Sequence, residues 1–137
     1  MILFLRGLFL IVLASMLAVT SWASYRCPLF AVPREVYEHP WFIATMADTY
    51  WGFLTFYVWV VYKQTSSVAR GAWLIAILLL GNVAMSLYCL AELFRADPAA
   101  GLAPVLTTRR HGPGRLGLAL AALGVVVIAL AWPTNAA

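Results

Sequence analysis

Asp48 is the residue in this chain with the clearest capacity for chemistry, because a carboxylate inside an apolar run is costly and usually faces protein or an ion path. It lies within WFIATMADTYWGFLTFYVWVVYK, from Trp41 to Lys63, a stretch long enough to cross a bilayer. Thr45, Asp48, Thr49, Gly52 and Thr55 recur at the spacing of one helix face, which predicts a polar seam turned toward other helices. Two further polar groups, Asn82 and Glu92, fall in the next apolar run on one face with Met85 and Cys89. Together, Asp48, Asn82 and Glu92 are the groups from which a proton or ion relay would be built. The plainer expectation is that Asp48 and Asn82 lock helix packing and that Glu92 sits near a membrane surface.

Other chemistries lack their parts. Catalysis needs a nucleophile, a base and an orienting group within reach, or a metal set. Ser15, Ser86 and Cys89 lie in apolar runs with no base nearby in sequence, and His39 and His111 fall in loops. No intramembrane histidine pair for haem exists, and Cys27 and Cys89 do not have metal-ligand spacing. The expectation is a protein that is not an enzyme, with no catalytic residue, no metal and no cofactor, leaving contact with bound lipid or pigment open.

These residues need helices to hold them. The chain has 137 residues, 64% hydrophobic and 10% charged. A soluble domain carries about 25% charged residues, so water is not the main solvent expected here. Four apolar runs, about 2–23, 41–62, 72–94 and 116–132, predict an all-α integral membrane helical bundle with four transmembrane helices. The first begins with Arg6 near its start and ends in the small-residue group Ser21-Trp22-Ala23, features shared with signal peptides; the expectation is a retained helix. Small residues at Ala14, Ala18 and Ser21, and at Gly117, Ala121 and Gly124, predict faces for close helix approach. The last run ends at Trp132-Pro133, expected at an interface.

Pro28, Pro33 and Pro40 interrupt the first connection. Lys63 to Gly71 is so short that the second and third helices should form an antiparallel hairpin, packed along their full length. Counted at about 1.5 Å per residue, Asp48 then lies at the depth of Ser86, with Asn82 about 6 Å deeper, so either side chain is a candidate partner for it. Arg95 to Arg115 reads as a loop with one interfacial turn near Val105.

The net charge of +4 is spread over the ends of the apolar runs, which suits lipid head groups and excludes nucleic acid as a partner. Arg26, Arg34, Arg95, Arg109, Arg110 and Arg115 would share one side, against Arg6, Lys63 and Arg70 on the other. That count puts the first group in the cytoplasm, whereas the first helix begins like an anchor with its N-terminus inside. Orientation is left open by this conflict.

The segments LAVTSWAS, WFIATMADTYWGFLTFYVWVVYK and LLLGNVAMSLYCLAELF, in that order and spacing, resemble a family of short bacterial membrane proteins classed as a domain of unknown function, number fourteen seventy-five. The likeness covers about residues 3–94. It implies a three-helix core, 1–94, with Asp48, Gly52, Lys63, Gly81 and Asn82 at matching motif positions, and it brings no activity. Residues 95–137 are expected to hold a proline- and arginine-containing loop plus a fourth transmembrane helix, and the extension from Arg109 to Ala137 departs from the family.

The functional expectation is a non-catalytic accessory or scaffold subunit of a larger membrane complex of the bioenergetic kind, respiratory or photosynthetic, in a bacterial inner membrane. Membrane lipids and other membrane subunits are its expected partners. The alternative is a small oligomeric transporter or proton/ion relay using Asp48. The residues that either reading rests on are Thr45, Asp48, Thr49, Gly52, Asn82, Ser86 and Glu92.

Overall fold

A computed structural model describes residues 1–132; Pro133 lies outside the described residues. The chain is all-α: α1 Ile2–Arg26, α2 Arg34–Tyr37, α3 Pro40–Lys63, α4 Ser67–Leu80, α5 Asn82–Arg95, α6 Ala103–Thr107 and α7 Arg115–Ala131, with short 3-10 turns at Leu29–Ala31 and Pro98–Ala100. Among the described residues one helix, α1, is both long and apolar enough to cross a membrane. Four such helices are not present. The aromatic, Asp48-bearing α3 falls below the required apolarity, α7 has 17 residues, and the expected helix 72–94 is two helices of 14 residues each.

That division occurs at Gly81, whose φ of +52° and ψ of −126° lie outside the region open to residues with a Cβ. The chain reverses there. Trp73 and Tyr88 would stand about 22 Å apart along one continuous helix, yet their rings meet edge-to-face at 4.8 Å. The break leaves its backbone satisfied: Gly81 N–H donates to Ile77 O at 2.8 Å, and Gly81 O accepts from Met85 N–H at 3.1 Å. α4 and α5 therefore form a half-length hairpin, about 21 Å deep, with its tip against Phe53 of α3.

This corrects the expected pairing. α4 runs beside α3 only from Lys63 back to Phe53, and α3 continues alone for another three turns. The short connection that predicted a hairpin between the second and third helices is real, but it delivers a second reversal 14 residues later. α1 packs along α5, and α7 runs parallel to α4, crossing it closely.

The glycine face of α7 permits that approach. A Cβ on Gly117 would lie 2.9 Å from Trp73 Nε1, and one on Gly124 would lie 2.9 Å from Leu79 Cβ. Gly117, Ala121 and Gly124 are buried, as the small-residue spacing predicts, whereas Ala14, Ala18 and Ser21 of α1 are exposed. Gly117→Val is expected to force the indole of Trp73 from its place and lower stability by about 1–3 kcal/mol, measurable as a lowered thermal midpoint in detergent. Ala18→Val should leave the midpoint unchanged.

The main core joins Val60, Trp73, Ala76, Ile77, Ala84, Tyr88, Leu120 and Ala121. Tyr88 sits at its centre, edge-on to Phe56, Trp59 and Trp73. A smaller cluster of Ile2, Leu93 and Val105 seats the start of α1 on the end of α5 and on α6. The turn expected near Val105 is thus present, and Val105 is buried.

Candidate functional site

Because α5 returns, the ends of α3 and α5, the start of α1 and the segment before α7 meet at one end of the molecule. Glu92 is fully buried within the protein there. Its carboxylate accepts from the ammonium of Lys63, from Arg110 Nε at 3.0 and 3.1 Å, and from Arg95 Nη1 at 3.1 Å. Lys63, also fully buried, donates in addition to Val105 O. One carboxylate thus meets three cations drawn from α3, α5 and the loop ahead of α7.

The backbone repeats this stitching. Arg110 N–H donates to Lys63 O at 2.7 Å and Thr65 N–H to Arg110 O at 3.1 Å, an isolated parallel bridge. Thr65 Oγ1 donates to the same carbonyl at 3.1 Å. Arg6, in the first turns of α1, donates through Nη2 to Leu93 O at 2.8 Å and Ala96 O at 3.3 Å. These are carbonyls at the C-terminus of α5, where a cation suits both the unpaired oxygens and the helix dipole. Arg6 Nε is buried without a partner among the described residues.

Asp48 is elsewhere. It lies on α3 beyond the hairpin tip, about 22 Å from Lys63 along the helix, is exposed, and makes no side-chain hydrogen bond or ion pair among the described residues. Ser86 is buried in the returning arm, and Asn82 is exposed at the tip. Neither bonds to Asp48 among the described residues. Thr45, Thr49 and Thr55 turn their hydroxyls back to the carbonyls of Trp41, Thr45 and Trp51 at 2.8, 2.8 and 2.9 Å. No atom lies within 4 Å of a Cβ built on Gly52. The polar face of α3 is therefore left uncovered by the described residues.

Sequence reasoning named Glu92 but missed Lys63 and Arg110 as its partners. A lysine closing an apolar run looks like an interfacial anchor. The signal that could have found it was Gly81: a glycine inside a 23-residue apolar run permits a reversal that brings Glu92 back to Lys63. With Asp48 and Glu92 at different levels, they do not form one polar path.

What fold and site define is an all-α protein with a four-residue charge cluster, built on the buried pair of Lys63 and Glu92, clasping the ends of its helices. Residues 2–109 match the family described as Protein of unknown function (DUF1475), and the chain belongs to that family. The match takes in the hairpin, α6 and the approach to Arg110, so it extends past the end expected at Phe94; α7 lies beyond it. No curated protein and no solved structure matches the chain.

Proposed function

We propose that this protein is a multi-pass bacterial inner-membrane protein that acts without catalysis, as an accessory or scaffold subunit docking onto a larger membrane complex. The observation that carries this reading is the uncovered half of α3: Pro40 to Gly52 projects past the hairpin tip and presents Asp48 among exposed Trp41, Phe42, Ile43, Met46, Tyr50 and Trp51. Apolar surface of that extent suits lipid or another protein, and the carboxylate suits only the latter. The occupant is a helix of a different membrane subunit carrying a cation or hydrogen-bond donor. A second copy meeting this face symmetrically would set Asp48 against Asp48.

The half-length hairpin supports a specific topology. α1, α3 and α7 cross, while α4 and α5 enter and return, so Arg6, Lys63, Arg70, Arg95, Arg109, Arg110 and Arg115 gather at one end and Arg26 and Arg34 at the other. Seven against two supports a cytoplasmic position for the clasped end and the N-terminus. The conflict in the four-helix count disappears. Re-entrant backbone is tolerated in a bilayer where it is packed in protein, and Gly81 is buried with both backbone groups bonded.

Mild-detergent purification followed by native mass measurement tests the reading. The wild-type chain is expected with a second subunit, and Asp48→Asn is expected to lose it with an unchanged thermal midpoint, since Asp48 supports nothing in its own chain. A lone monomer from both would sink the proposal. Proteoliposome ion flux abolished by Asp48→Asn would instead favour the relay reading, which the separation of Asp48 from Glu92 makes the weaker one.

A further inference from the structure

The clasped end holds a cavity of about 400 Å³ between the hairpin and the segment leading into α7. Arg95, Arg110, Arg115 and His111 are among the residues that line it. Glu92 supplies one negative charge, and Lys63 and Arg110 already draw on it from one side. With Arg95 and Arg115 added, four cations stand against one carboxylate, an excess of three positive charges around a half-enclosed space. Low-dielectric walls strengthen such a field and focus it on the opening.

Two uncharged residues with donor groups, Tyr88 and Trp73, also line the cavity. Tyr88 is 1% exposed. Its hydroxyl oxygen accepts from Gln64 Nε2 at 3.3 Å, and its own proton finds no acceptor among the described residues. Trp73 is 3% exposed, and its Nε1–H makes no hydrogen bond among the described residues. Arg115 likewise makes no ion pair among them, and Arg95 spends a single nitrogen on Glu92. Both residues line the cavity, and each carries a proton that an acceptor bound there could take.

The geometry points to a binding site for a phosphate mono- or diester anion in this cavity, held by Arg95, Arg110 and Arg115 from its rim and met by Tyr88 and Trp73 from its floor. A tetrahedral oxyanion offers several acceptors at once, and guanidinium forks bind it bidentately, which a single carboxylate ligand exploits less fully. The position of the cavity, at the end that gathers seven of the nine basic residues, suits the phosphate of an anionic lipid as well as a free phosphate.

The two sources are distinguished with the full chain in neutral detergent. In one arm, native mass measurement follows retention of added phosphatidylglycerol against phosphatidylcholine. In the other, titration calorimetry follows binding of inorganic phosphate. Wild type is expected to keep phosphatidylglycerol selectively, and phosphate is expected to displace it. Phosphate binding without lipid selectivity would assign a soluble source to the same site. Arg115→Gln is expected to weaken binding about tenfold, and Arg95→Gln with Arg115→Gln further, with the thermal midpoint of Arg115→Gln unchanged. The inference is overturned if neither probe binds, or if both bind the double variant as well as wild type. Neither outcome depends on whether a partner subunit occupies the face of Asp48.

Discussion

Glu92→Gln is expected to destabilise the protein more than any other single substitution in the charge cluster, by about 3–5 kcal/mol. Removing the carboxylate's charge leaves the ammonium of Lys63, whose side chain is 0% exposed, with a neutral amide, a backbone carbonyl and two guanidinium groups nearby. Lys63 has no route to water. Arg110 and Arg95, whose side chains are 28% and 53% exposed, can turn outward and recover hydration. The cost therefore falls on Lys63. Lys63→Met should be milder, because Glu92 keeps both arginines, and Lys63→Met with Glu92→Gln should be more stable than Glu92→Gln alone. Thermal unfolding of the four proteins in one detergent checks the order; equal losses for the two single variants would contradict it.

Gly81→Ala is the second large effect. A residue with a Cβ at this φ and ψ costs about 1–3 kcal/mol, and the added carbon would lie 2.7 Å from Phe53 Cζ. Both penalties act at the hairpin tip, so the substitution favours straightening α4 and α5 into one helix. A straight helix would separate Trp73 from Tyr88 and Lys63 from Glu92. The expected result is a lowered thermal midpoint together with loss of near-ultraviolet circular dichroism from the ring cluster around Tyr88. Adding Phe53→Ala should relieve the clash and recover only part of the loss, because the backbone penalty remains. Full recovery would mean that Gly81 serves packing alone.

Much of the helical content was legible because it depends on local pattern. The apolar runs, Pro40 at the head of α3, the turn near Val105 and the glycine face of α7 all follow from spacing and residue type. The small residues at Gly117, Ala121 and Gly124 announced a close approach without saying to what. The site was less legible. Asp48 was expected to meet Ser86 or Asn82 because a 23-residue apolar run counts as one span, and hydropathy is blind to a change of direction inside it. Its relation to the real neighbours of Gly81 is set by one backbone torsion, which composition does not register.

Glu92 shows the same division. Its position on a helix face could be computed from the 3.6-residue repeat, while its burial and its three cationic partners required knowing that α5 returns to the level where α3 ends.

The sequence by itself determined an apolar all-α chain, membership of its family, and the residue types from which any site would be made, since these depend on composition and on repeats of three to four residues. The tertiary structure decided which of those residues meet. The physical reason is the positive-φ conformation at Gly81, which turns one expected span into a half-length hairpin, draws Lys63, Glu92, Arg95 and Arg110 into one cluster, and leaves Asp48 beyond the tip with no partner among the described residues.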